Sequence, residues 1–149
     1  MKNRFLVRYW VKGSKKYLNS NKLIYNDGTY TQVSTKQSPS GTYYSYILYD
    51  WNTSELIPEQ CTGLKDKNGK LIYEGDILAV PYIDPIFMQP VNMEVNNDVA
   101  YVEFYKGCFV AHYPEKQRKY LYDYENIAEV IGNIHENPDL LEQSDVAED

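Results

Sequence analysis

A chain of 149 residues, 43% hydrophobic and 24% charged, is long enough for one domain or for a small barrel with an elaborated N-terminal segment, and too short for most two-domain enzymes. No run approaches the roughly 18 apolar residues of a membrane span, and the charges inside MKNRFLVRYWVKG argue against a signal peptide. The net charge of −6 is uneven: residues 1–50 hold eight Lys/Arg and two Asp, residues 51–149 seven Lys/Arg and nineteen acids, so the two ends either complement each other or offer a basic face to nucleic acid.

Sixteen Tyr against four Phe suit half-buried pleated surfaces and interfaces with one wet side. In chain order, residues 4–11 read as a strand with β-formers on both faces. Residues 22–25 and 29–33 flank Asn26-Asp27-Gly28, and Asp-Gly between two such runs signals a hairpin whose turn needs positive φ. The polar residues 35–41 are expected as a flexible loop. Residues 41–51, GTYYSYILYDW, follow as a strand. Strict alternation puts Tyr43, Ile47, Tyr49 and Trp51 on one face, and Tyr44, Tyr46 and Leu48 on the other. Both faces are largely apolar or aromatic, which predicts cover on each side. Residues 52–59 are expected as a connector containing Pro58.

Asp66-Lys67-Asn68-Gly69 and Glu74-Gly75-Asp76 are further turn signals. A strand is expected over 77–82, then a long Pro-containing apolar loop over 81–98, and loops of that length inside a domain are unusual. Residues 99–105 and 108–113 form a hairpin around Lys106-Gly107, and residues 127–134 make the last strand, around Gly132. Asn137 as N-cap and Pro138 at the first helical position start a short helix ending near Gln143. Short strands every eight to twelve residues, without repeats or heptads, predict a barrel or sandwich.

The segment CTGLKDKNGKLIYEGD, residues 61–76, gathers glycines, acids and lysines as a ligand loop would. A phosphate loop is excluded: Gly63 and Gly69 are one position too far apart, Lys70 precedes Leu71 rather than Ser or Thr, and a strand follows instead of a helix. A calcium loop fails because Lys70 stands where an oxygen ligand is needed and no bidentate Glu closes the loop. Glu74 and Asp76 could form an acid–base pair, but no third group is in view, and Glu-Gly-Asp is read as a tight turn whose Asp side chain caps backbone amides. Here Gly63, Asn68, Gly69, Gly75, Asp76 and Gly132 are read as structural. His112, His135, Cys61 and Cys108 lack the paired spacing of a zinc site, nothing local activates either thiol as a nucleophile, and both cysteines are expected reduced. No catalytic residue, metal or cofactor is expected.

Two surfaces remain. Lys2, Arg4, Arg8, Lys12, Lys15 and Lys16, interleaved with Tyr9, Trp10 and Tyr17, could contact the phosphates and bases of nucleic acid, or could guard a strand edge. Tyr43, Tyr44, Tyr46, Phe87 and Met88 are the expected protein-contact groups, toward a second copy or another protein.

Gln60 followed by CTGLKDKNGKLIYEGDI resembles the signature of the YopX family of phage and prophage proteins. Arg4-Phe5 with Arg8-Tyr9-Trp10 and Lys15-Lys16-Tyr17-Leu18 resembles the family's opening strand. Glu129-Val130-Ile131-Gly132-Asn133-Ile134 with Glu136-Asn137-Pro138-Asp139-Leu140-Leu141 resembles its close. Residues 20–58 and 81–98 have no clear counterpart, and Cys61 replaces the family's usual aromatic before Thr-Gly. The resemblance implies an SH3-like barrel in the C-terminal part, a source in a phage or prophage of a Gram-positive bacterium, and action in the host cytoplasm. It brings no catalytic residue. The expected organisation is a mainly β chain: an N-terminal β-hairpin segment over 1–58, an SH3-type barrel with closing helix over 59–141, and an acidic disordered tail over 142–149. The expected function is that of a non-enzymatic, protein-binding accessory module of a phage or prophage, whose expected partner is a second copy in a homo-oligomer or a host or phage protein. Nucleic acid is the alternative, and no membrane is involved.

Overall fold

In the computed structural model the chain is mainly β, with a curled half-barrel sheet and, among the described residues, one short α-helix. The structure describes residues 6–18, 23–26, 28–90, 98–114 and 117–142. Lys2, Arg4, residues 91–97 of the expected loop and residues 143–149 of the expected tail lie outside the described residues. The chain divides into two units, Val7–Glu59 and a larger one formed by Met1–Leu6 with Gln60–Asp149.

In the smaller unit, β1 (Val7–Val11) turns back into β2 (Lys16–Tyr17), with Trp10 opposite Tyr17. The strand β6 (Leu56–Lys65) starts here on the other side of β1. It overturns the connector expected over 52–59, because Pro58 is accommodated within it. At Pro58 the next strand partner has not begun; that pairing starts at Cys61, so the missing N–H costs no ladder bond. The rest of the unit is a three-stranded antiparallel sheet, β3 (Leu23–Asn26), β4 (Thr29–Gln37) and β5 (Tyr43–Asn52), in that order. Gly28, at φ +89°, lies between β3 and β4 as the Asp-Gly signal requires. The loop expected at 35–41 is shorter in fact: β4 continues to Gln37, and the turn is built by Ser38, Ser40 and Thr42 through side-chain hydrogen bonds.

The larger unit holds a five-stranded antiparallel sheet in the order β11 (Arg118–Tyr120), β10 (Cys108–His112), β9 (Asp98–Tyr105), β8 (Asp76–Val80), β12 (Glu129–Asn133). The short strand β7 (Leu71–Tyr73) pairs with β6, a 3₁₀ turn covers Leu121–Tyr124, and helix α1 covers Asp139–Glu142. Alternate residues of β8, β9 and β10 point inward with Ile72, Leu121, Tyr124 and Ala128 to form the core. Wholly buried Ile72 and Leu78 each contribute about 1.5–3 kcal/mol of transfer free energy. Among the described residues no helix is long and apolar enough to cross a membrane.

Candidate functional site

The central motif resolves into a junction of strands. Asp66 is 1% exposed, and its Oδ1 accepts hydrogen bonds from the N–H groups of Asn68 and Lys70, both at 2.9 Å. Its Oδ2 accepts from Val130 N–H at 3.1 Å. Burial alone would raise the Asp66 carboxyl, yet the hydrogen bonds from Val130, Lys70 and Asn68 outweigh it and hold the group below the ordinary carboxylate value. The loop's path demands Gly69, which adopts φ +80°. The carboxylates of Glu74 and Asp76 accept from backbone N–H groups of Gln60 (3.0 Å) and Tyr73 (2.8 Å). Both acids read as a candidate catalytic pair are thus engaged in turn and strand geometry.

His112 joins a different group. Its Nδ1 lies 2.6 Å from the Tyr101 hydroxyl and 3.0 Å from Glu103 Oε2, and Arg118 Nε donates to the same carboxylate oxygen at 2.9 Å. The Arg118 guanidinium also lies 3.9 Å from the centre of the Tyr105 ring. Burial, reinforced by the Glu103 charge, pushes the Tyr101 hydroxyl above its ordinary value. Sequence spacing did not bring these residues together; the β9–β10–β11 register does, placing His112 opposite Tyr101 and Arg118. A cleft of about 320 Å³ is lined by Asp98, Tyr113, Gln117 and Lys119, none of them from this group. Among the described residues no cluster of His, Cys, Asp or Glu could hold a metal ion. Cys61 and Cys108 are free thiols.

Of the basic residues, Arg8 is already engaged. Its Nε is 2.6 Å from Glu59 Oε2, its guanidinium covers the Tyr17 ring at 4.5 Å, and the Tyr17 hydroxyl donates to the same carboxylate at 3.0 Å. Lys12 and Lys15 stand exposed on the β1–β2 turn, followed by exposed Lys16 on β2.

The aromatic residues form the more extensive feature. The β4–β5 register shifts between Gln32 and Val33: Val33 faces Ile47, but Gln32 faces Tyr49. Leu48 is therefore an extra residue, a bulge that reverses the alternation beyond it. This corrects the expected face assignment. Tyr49 and Trp51 share the face of Tyr44 and Tyr46, while Tyr43 and Ile47 lie on the opposite one. On the first face Tyr44 packs against Tyr46 (6.4 Å between centroids) and Tyr49 against Trp51 (4.5 Å). The Trp51 indole N–H donates to Gln32 at 3.1 Å, and Tyr25 meets Tyr30 at 5.2 Å. Lys36 Nζ sits 5.2 Å over the Tyr46 ring, and a Ser34 hydrogen bond, with Lys36 nearby, holds the Tyr46 hydroxyl below its ordinary value. Cover on each side, expected from the apolar pattern, is not what β5 receives: Tyr43 is 69%, Ile47 65%, Tyr44 51% and Tyr49 50% exposed, with Tyr46 half-buried. The rings of one face pack on one another along β5 instead, while Tyr25 packs on Tyr30 across the β3–β4 pair.

Phe87 and Met88 are exposed together with Ile86. They sit on a constructed turn: Asp84 Oδ1 accepts from the N–H groups of Ile86 (2.7 Å) and Phe87 (3.1 Å), and Met88 N–H donates to Asp84 O.

The family model described as YopX protein matches residues 7–142, and so runs through the stretches 20–58 and 81–98 that the motifs alone left without counterparts. The chain is also similar to a solved structure, the crystal structure of protein EF1440 from Enterococcus faecalis. The two are 29% identical with a TM-score of 0.61, over 91% of this chain and 96% of that one. No curated protein matches the chain.

Proposed function

The chain belongs to the YopX family, and we propose that it is a non-enzymatic phage or prophage accessory module that binds protein in the host cytoplasm. Its larger unit is read as an SH3-like barrel, supported by the short antiparallel strands β8 to β12 and the core they enclose. The observation that carries the binding function is the three-stranded sheet with large aromatic and aliphatic side chains exposed on both faces. Tyrosine supplies broad contact area at small entropic cost, which suits protein recognition. The Ile86-Phe87-Met88 turn is a second apolar contact point of the same kind. The test is a pull-down from infected host cells with the full tagged chain, analysed for protein and for nucleic acid. A specific protein retained by the wild type and lost in Tyr44→Ser/Tyr49→Ser is the expected result. Retention of nucleic acid alone contradicts it.

A second reading, nucleic-acid binding, is favoured by the exposed Lys12 and Lys15 on the β1–β2 turn and the adjoining Lys16 on β2. It requires affinity that falls steeply with added salt.

A further inference from the structure

We propose that β5 is an open docking edge whose occupant is β5 of a second copy of this chain, paired antiparallel about a twofold axis. The proposal rests on the protein-binding reading and names the partner. In the order β3-β4-β5, β5 has one neighbour. Alternate residues along its ten therefore aim their N–H and C=O groups away from β4, and among the described residues no strand receives them. Edges of this length are normally blunted by lysine, proline, brevity or a bulge. The other edge strand, β3, has only four residues. β5 carries no Lys, Arg or Pro, and its one charge, Asp50, accepts a hydrogen bond from Thr31 at 2.8 Å. The bulge at Leu48 leaves residues 43–47 as a regular, uncharged run.

That run is complementary to itself. A twofold axis at Ser45 sets Tyr43 opposite the partner's Ile47 and Tyr44 opposite the partner's Tyr46. These are aromatic–β-branched and aromatic–aromatic cross-strand pairs, the kinds that stabilise antiparallel sheets. The two faces of the run stay matched, so the Tyr44 and Tyr46 rings of both copies continue one aromatic face. Charge favours this unit as the contact: Val7–Glu59 holds six Lys/Arg and four Asp/Glu, against seven and seventeen in Gln60–Asp149. Closed twofold pairing also ends growth at two copies, because each chain offers one such edge.

The experiment is light scattering of the full chain over a range of concentrations, with Ile47→Lys and Tyr43→Lys as edge-blocking variants and Phe87→Asp as a control. Both lysine sites are exposed in the single chain, so the circular dichroism spectrum should be unchanged, and Tm should match the wild type at dilution, where no association adds to the wild type's stability. The expected result is a mass of two chains for the wild type and Phe87→Asp, halved in each lysine variant and insensitive to salt. In a Cys108→Ser background, Ser45→Cys should then be joined to itself by a short thiol cross-linker. A wild type that is monomeric throughout, or a dimer that both lysines leave intact, overturns the proposal. A monomer that still retains a host or phage protein overturns only the second-copy assignment and leaves the protein-binding reading standing. A monomer that retains nucleic acid alone overturns both.

Discussion

The carboxylate of Asp66 accepts a hydrogen bond from the backbone N–H of Val130, 64 residues further along the chain. That one contact ties the loop between β6 and β7 to the last strand of the five-stranded sheet. It is seconded by Lys67 N–H, which donates to Ala128 O at 2.8 Å, and by the Lys67–Glu129 ion pair at 2.8 Å. A segment with the composition of a ligand loop therefore spends its polar groups on holding strands together.

Removing the acceptor should be costly. Asp66→Ala leaves the N–H groups of Asn68, Lys70 and Val130 without this partner, and a loss of about 3 kcal/mol in denaturant unfolding is expected. The pH dependence has a definite sign. A carboxyl held lower in the folded chain than in the unfolded one contributes stability that is full above the unfolded value, near pH 4, and lost as pH falls through the folded value. Asp66→Asn should flatten the acid limb of the stability curve; an unchanged limb would show that Asp66 is not its source.

Gly69 and Lys70 separate architecture from ligand chemistry. Gly69→Val forces a β-branched residue to φ +80° and should cost about 1–2 kcal/mol. Lys70→Ala touches only an exposed side chain and should change stability by less than about 0.5 kcal/mol. Loss of a binding activity in Lys70→Ala with the fold intact would instead make this loop a site.

Gly132 is constrained by proximity. A Cβ there would lie 2.4 Å from Asn137 Oδ1 and 2.8 Å from its Cγ. Gly132→Ala should cost about 1 kcal/mol or more by displacing Asn137, which accepts from Asn133 N–H at 3.3 Å. In Gly132→Ala/Asn137→Gly the clash is gone, so the double variant should be less destabilised than the sum of the singles. Simple additivity in thermal or denaturant unfolding would refute the contact.

Arg8 distinguishes a structural ion pair from a phosphate contact. Glu59 is 4% exposed and receives both Arg8 and Tyr17. Arg8→Ala should lower stability by about 2 kcal/mol by weakening the compensation of a buried carboxylate. A variant of wild-type stability that had lost affinity for nucleic acid would assign Arg8 to the second reading.

Turns were the most legible part of the sequence, because glycine at positive φ is a local requirement. Gly28, Gly69, Gly75 and Gly107 all adopt it. The aromatic face was not legible. A period of two assigns faces only while the count is unbroken, and the extra Leu48 sends Tyr49 and Trp51 across the sheet. Nothing in GTYYSYILYDW marks that bulge. Pro58 misled in the opposite direction, since its place in β6 depends on where a distant strand begins to pair. The grouping of Tyr101, Glu103, His112 and Arg118 likewise depends on register between β9, β10 and β11. What the sequence did offer, and composition alone underused, was a ten-residue strand without a single lysine or proline to guard its edge.

Hydrogen–deuterium exchange of the full chain, dilute against concentrated and with against without the protein it retains from infected cells, tests the docking surface most directly. Slower exchange at residues 43–47 on association, with the β1–β2 turn unchanged, is the predicted result. Unchanged exchange along β5, with protection gained around Lys12, Lys15 and Lys16 instead, would contradict it.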